Sequence, residues 1–240
     1  MFCRTPLGLT RRRDGLSPGI TALVPGGMRK APVQYLRSVT MPQNPRGPYR
    51  KGRERREQIL RAALEVFAEH GERGSSLKEI AERVGISQAG VLHHFGSREE
   101  LLVAVLAERD ALDVEATTDV TSPGEAVVRT AAHNAGHRGL VDLFVTLSAA
   151  ASDPEHPAHA FFTRRYADLT ESIERGLRQG QEQDVVRTDV GADRMARMLV
   201  ALSDGLQLQW LLNPDVEMAE TIEAFNSMCR SLPVAETDGA

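Results

Sequence analysis

Between Ser87 and Ser97 the chain reads SQAGVLHHFGS, eleven residues without an Asp or a Glu. Gln88, His93 and His94 offer hydrogen-bond donors and acceptors. Ala89 and Gly90 are small enough to let a partner approach closely. On a short helix such a face suits base edges in the major groove of double-stranded DNA, where each base pair shows its own donor and acceptor pattern. Two histidine pairs are the other candidates for chemistry. His133 and His137 stand four residues apart, and His156 and His159 stand three apart at a helix start. Such pairs can hold zinc, but neither has a Cys or an acidic cluster at ligand spacing, so solvated or hydrogen-bonded histidines are expected, with no metal and no cofactor. No phosphate loop, nucleophile elbow or paired-carboxylate motif is present, so no enzymatic activity is expected.

Helices must position these residues. Strand alternation is absent after Arg53, and Gly or Pro punctuates the chain at helix spacing. A first helix is predicted over residues 54–70, with Ile59, Leu60, Ala63, Leu64 and Phe67 on one stripe and Gly71 ending it. A second covers residues 77–84. Ser76 and Glu79 form a capping box at its start, and Gly85 supplies the left-handed residue that stops it. A third covers residues 88–95, capped by Ser87 and broken by Gly96. Ser97 and Glu100 cap a fourth that ends near Asp113. Further helices are predicted over residues 123–137, 140–151, 157–181, 194–212 and 215–232. The fold class is therefore all-α: a three-helix helix-turn-helix head at residues 53–113 and a larger helical body at 114–232. Residues 233–240 read as a loose tail.

Charge is unevenly spread over the 240 residues. Residues 1–56 carry 13 Lys and Arg against 2 Asp and Glu, although the net charge of the whole is −4. Residues 1–50, rich in Pro, Gly and Arg, are expected to form a disordered basic arm. Met41 is a plausible natural start, with residues 1–40 upstream of it. Arg50, Lys51, Arg53, Arg55 and Arg56, before and at the start of the first helix, suit phosphates or the minor groove. From residue 112 onward 10 Lys and Arg face 21 Asp and Glu, so this half should avoid DNA. Cys3 and Cys229 form no metal or redox spacing, which fits a reducing cytoplasm. No apolar run approaches the roughly 20 residues that span a bilayer, so no membrane partner is expected.

The segment SSLKEIAERVGISQAGVLHHFGSREELL, residues 75–102, resembles the DNA-binding signature of the TetR family of transcriptional regulators. That signature is a hydroxyl-bearing helix start, an Ile-Ala pair, a Gly turn, a short helix ending in an aromatic and His run, and then Ser-Lys-Glu-x-Leu. The resemblance implies roles for matching positions. Ser76 sits where the helix-start hydroxyl touches a phosphate, and Lys78 adds a nearby charge. Gln88, Ala89, Gly90 and His93 face bases. His94 and Arg98 match the His and Lys that meet the phosphate backbone. Two positions depart: Ala89 replaces the usual Gly, which moves to position 90, and Leu92 replaces a phosphate-binding Tyr, leaving a thymine methyl as its available contact.

For the body the resemblance implies a small-molecule pocket and a dimer interface made by the last two helices. Pocket candidates are Phe144, Phe161, Phe162, Tyr166 and Trp210, with His133 as a polar group; each is equally at home in a core. Met195, Leu199, Leu202 and Leu206, with Met218, Ile222 and Phe225, are the expected faces of a two-fold four-helix bundle. The reading is a homodimeric repressor released from a palindromic operator by a small-molecule effector. The alternative is a helical protein-interaction module whose DNA binding is incidental or lost.

Overall fold

The computed structural model describes residues 48–120 and 122–231, with side chains from Arg50 onward. The expectations for residues 1–47, including Met41, and for the tail at 233–240 lie outside the described residues. Among the described residues the regular structure is nine helices and one isolated antiparallel bridge, Val186 with Arg230. The helices are α1 (Pro48–Gly74), α2 (Leu77–Val84), α3 (Gln88–Phe95), α4 (Arg98–Ala116), α5 (Pro123–Asn134), α6 (Arg138–Ala150), α7 (His159–Glu182), α8 (Ala192–Leu212) and α9 (Met218–Met228).

The caps behave as their residue types dictate. Ser76, Ser87 and Ser97 each have extended backbone, and each hydroxyl accepts from the amide three residues on, at 3.0–3.1 Å. Each satisfies one of the amides a helix start leaves unpaired. Gly85 closes α2 in the left-handed region, at φ 71° and ψ 40°.

Several boundaries differ from expectation. α1 begins at Pro48, so the last residues of the expected disordered arm are helical. Proline at a first helical position sacrifices no hydrogen bond, and Arg50–Glu54 and Arg53–Glu57 pair one turn apart at 3.4 and 3.5 Å. Gly71, at φ 69° and ψ −172°, kinks α1 where its end was expected. α5 stops at Asn134 rather than 137, because a turn at residues 135–137 leads into α6. α9 ends at Met228 rather than 232, because Arg230 turns to meet Val186.

Two cores hold the helices. The first joins the head to the near ends of α6 and α7 through Ile59, Val66, Phe67, Ile80, Val91, Phe95, Leu101, Leu143 and Phe144. Burying one such large side chain contributes about 1.5–3 kcal/mol. The second joins α5, α7, α8 and α9 through Ile173, Leu199, Trp210, Met218 and Ile222. α1 and α6 come so close that a Cβ on Gly139 would overlap the Phe67 carbonyl oxygen and lie 2.7 Å from that of Ala68. The Asp142 carboxylate accepts the Glu72 amide at 3.2 Å across the same contact.

Candidate nucleic-acid interface

α2 and α3 are held in a helix-turn-helix by a closed turn. The Gly85 amide donates to the Glu82 carbonyl at 3.2 Å, and the Ile86 amide donates to the Ala81 carbonyl at 2.9 Å. α3 turns Val91 and Phe95 into the core, with Val91 fully buried. That rotation fixes what remains outside. Gln88, Ala89 and His93 are exposed, while Gly90, Leu92 and His94 are half-buried along the margin of the same face. The His93 and His94 rings meet edge to face with centroids 5.7 Å apart. Arg56 lies over the Phe95 ring at 4.4 Å, so this expected arm residue braces the recognition helix from outside.

The expected phosphate contacts divide. Ser76, Lys78, Arg50, Lys51 and Arg53 are exposed. The Ser76 oxygen is occupied as an acceptor, but its proton remains to donate. Lys78 lies 3.8 Å from the Glu82 carboxylate, its one ion pair among the described residues. Arg98 departs from expectation: its guanidinium donates to the Glu72 carboxylate at 2.7 Å and to the Glu72 carbonyl at 3.0 Å. It ties the first turn of α4 to the segment after the α1 kink.

Sequence reasoning missed an ion-pair cluster between α1 and α2. Arg83 donates to Glu69 at 2.6 Å and Glu79 at 3.1 Å and lies 3.6 Å from Glu65. His70 stands 3.3 Å from Glu79. Hydrogen bonds from Arg83 hold the Glu69 carboxyl below its ordinary range. Glu69, His70 and Glu79 are close enough to share a cation, but Arg83 already occupies both carboxylates. Glu79 therefore serves Arg83 and His70, and only the serine half of its expected capping box forms.

In the body, Phe144, Phe161, Phe162 and Tyr166 gather, with successive centroids 5.5, 5.2 and 6.0 Å apart around Phe162. Two expected pocket residues do not join them. Trp210 lies in the second core beneath the Arg138 guanidinium, 5.3 Å from its ring. His133 is exposed against His137, with ring centroids 4.5 Å apart. The other histidine pair is hydrogen-bonded to backbone: His156 Nδ1 accepts from Ala158, and His159 Nδ1 lies 2.8 Å from the Ala151 carbonyl.

Charges surround the aromatic group. Arg109 and Arg165 both lie over the Phe144 ring, at 5.4 and 4.8 Å. Arg165 donates twice to Asp110, at 2.7 and 3.2 Å. Tyr166 lies beside Asp204, and burial pushes both the Asp204 and Asp113 carboxyls above their ordinary range. The signal for this set lay in the α4 stripe, where Leu102, Val105 and Leu106 continue inward as Arg109 and Asp113.

The expected dimer faces are corrected. Met195, Leu199, Leu206, Met218 and Ile222 are buried in the chain's own second core, and Leu202 and Phe225 pack partly buried against it. The opposite side of α8 is the one left uncovered. Met198, Leu208 and Leu212 are 51, 48 and 80% exposed, and Ala201 is exposed between them. Gly205 has open space where a side chain would stand.

The architecture is thus a helix-turn-helix head on an all-helical body with an uncovered apolar stripe. Residues 59–105 match the family described as bacterial regulatory proteins, tetR family, and residues 123–231 match the BetI-type transcriptional repressor C-terminal region. The transcriptional repressor AcnR of Corynebacterium diphtheriae is 30% identical over 57% of this chain and 72% of its own length. The transcriptional regulator UidR of Escherichia coli K12 is 26% identical over 63% and 79%. A TetR transcription regulator from Haloarcula marismortui shares the fold, with a TM-score of 0.62 at 21% identity over 74% of this chain and 99% of that one. The chain belongs to the TetR family and is a DNA-binding transcriptional regulator. Among the described residues no helix is long and apolar enough to cross a membrane.

Proposed function

We propose that the protein is a repressor that binds a palindromic operator as a homodimer and leaves it when a small molecule enters the helical body. One observation carries the reading: α3 exposes Gln88, Ala89 and His93 on a face without acid, while its other side is locked into the core. Arg50, Lys51, Arg53 and Lys78 stand exposed on the same head as phosphate contacts. Met198, Ala201, Gly205, Leu208 and Leu212 recur at alternating three- and four-residue steps, the spacing of a helix seam that packs on its own two-fold copy. α9 adds Ala224 and Met228 on its exposed side. A dimer presents two α3 helices, as paired half-sites require.

α4 supplies the link between the two ends. Its Leu101, Leu102, Val105 and Leu106 are core residues of the head, and the same rigid helix carries Arg109, Asp110 and Asp113 into the body. By linkage, effector and operator weaken each other's binding by the same factor. Fluorescence anisotropy with DNA flanking the protein's own gene tests the reading. A salt-sensitive, specific complex of two chains per palindrome is expected. Leu208→Glu should yield a monomer by analytical ultracentrifugation and weaken palindrome binding. Equal affinity for scrambled DNA would refute the proposal.

A further inference from the structure

Arg109 is 5% exposed, and among the described residues its Nε has no hydrogen-bond partner. Its one direct bond is a long one, from Nη1 to the Leu140 carbonyl at 3.4 Å. The nearest carboxylate oxygen, Asp113 Oδ2, lies 3.8 Å from Nε, beyond hydrogen-bond length. A guanidinium cannot shed its proton in a protein, so burial does not neutralise it. It needs an acceptor. The neighbouring carboxylates Asp110 and Asp204 act on Arg109 only through space: Asp110 accepts both bonds from Arg165, and Asp204 lies beside Tyr166. Burial pushes the Asp113 carboxyl above its ordinary range, against the pull of Arg109. What Arg109 lacks is a hydrogen-bond acceptor at its Nε.

The surroundings suit a small organic acid. Arg109 and Arg165 share the Phe144 ring, so two planar donors stand near one aromatic surface with Phe161 and Phe162 beside it. Guanidinium donors match a carboxylate in geometry and charge. A groove of about 370 Å³ between α7 and α8 shares Tyr166 with this group; Ala167, Thr170, Glu171, Glu174 and Arg197 complete its lining. That volume lies within the range of small-molecule sites. Tyr166 belongs to both, touching Phe162 and Asp204 while lining the groove.

We infer that the effector is a carboxylate-bearing small molecule with an aromatic or alkyl body, held by Arg109 with Arg165 beside it. The inference rests on the effector reading above and gives it a chemical class. A carboxylate at Arg109 supplies the acceptor that Asp113 does not reach. Competition with Asp110 for Arg165 then loosens the tie between α4 and α7, and α4 runs straight into the head.

The test uses the full-length protein and three matched series: 4-phenylbutyrate and octanoate, their primary amides, and trimethylammonium compounds of the same length. Calorimetry and thermal shift read binding, and operator anisotropy is read separately. The carboxylates should bind at least tenfold tighter than their amides. Arg109→Met should weaken them by about tenfold to a hundredfold, and Arg109→Lys should restore part of the loss. Operator affinity without ligand confirms that each variant folds. Tighter binding of the trimethylammonium series, unchanged carboxylate binding by Arg109→Met, or no binding across the panel at millimolar concentration overturns the inference. Those outcomes leave operator recognition standing. Carboxylate binding through Arg109 without operator release would uphold the site and refute the release step of the proposed function.

Discussion

The head and the body use the same charged residue types in opposite ways. In the head, Arg83, Glu65, Glu69, Glu79 and His70 pair at or near the surface, and water shares the charge with them. Their carboxylates are fixed on α1 and α2, and α3 carries none. In the body, Arg109, Asp113, Arg165, Asp110, Tyr166 and Asp204 meet between α4, α7 and α8, where burial raises carboxyls rather than lowering them. Exposed pairing keeps a surface quiet and leaves the α3 face to DNA. Buried, incompletely satisfied charge stores a demand that a ligand can meet. The two regions thus differ in where unmet hydrogen bonding is kept: on an outer face for a polymer, and inside the helices for a small molecule.

The largest effect should come from removing half of the body's best-formed pair. Asp110→Ala leaves the part-buried Arg165 without its two bonds, at a cost of about 3 kcal/mol. Urea melts of the purified protein read it. Glu69→Ala in the head should barely move the same midpoint, because that pair is exposed. Equal losses at the two sites would end the contrast.

Next in size is the outer face of α3. Gln88→Ala and His93→Ala should each cost about 1–3 kcal/mol of operator binding and relax specificity at particular base pairs. Lys78→Ala should weaken all sequences alike and reduce the salt slope by about one. Neither class should change effector binding at Arg109. A shift of effector affinity in His93→Ala without DNA present would mean that the two regions are not separable.

The head was the legible half because its signals are local. Ser76, Gly85, Ser87, Gly96 and Ser97 mark helix ends within a few residues of one another, and the structure places a cap or a turn at each. Phase was legible in α3 for the same reason, since Val91 and Phe95 leave one choice of inner face. It was not legible in α8. Met195, Leu199 and Leu206 on one side and Met198, Leu208 and Leu212 on the other are equally apolar, and periodicity alone cannot say which side packs at home. Only the positions of α5, α7 and α9 decide it. The body's charges were hidden more deeply. Arg165 and Asp110 are 55 residues apart, and nothing local in either marks the other as its partner. Arg98 shows the opposite risk: its match to a family position pointed outward, while a carboxylate on the kinked end of α1 holds it in.

The smallest test separates the two regions by the sign of a pH effect. Asp204 has a folded-state carboxyl pushed by burial above its ordinary 3.8, against the pull of Tyr166 and Arg165. The folded protein therefore holds that proton more tightly than the unfolded chain does. Its contribution to stability is complete below about pH 3.8 and is lost as pH rises through the folded value. Asp204→Asn keeps an acceptor for Tyr166 and removes the ionisation, so it should gain in Tm over the native chain on going from pH 4 toward neutrality. Glu69 runs the other way. Arg83 holds it below its ordinary 4.5, so its contribution is present above that value and disappears as pH falls. Glu69→Gln should therefore be slightly less stable than the native chain at neutral pH, with the gap closing in acid. Paired thermal melts from about pH 2 to pH 8 give both slopes, and slopes of the same sign would mean that Asp204 is solvated like the head's carboxylates.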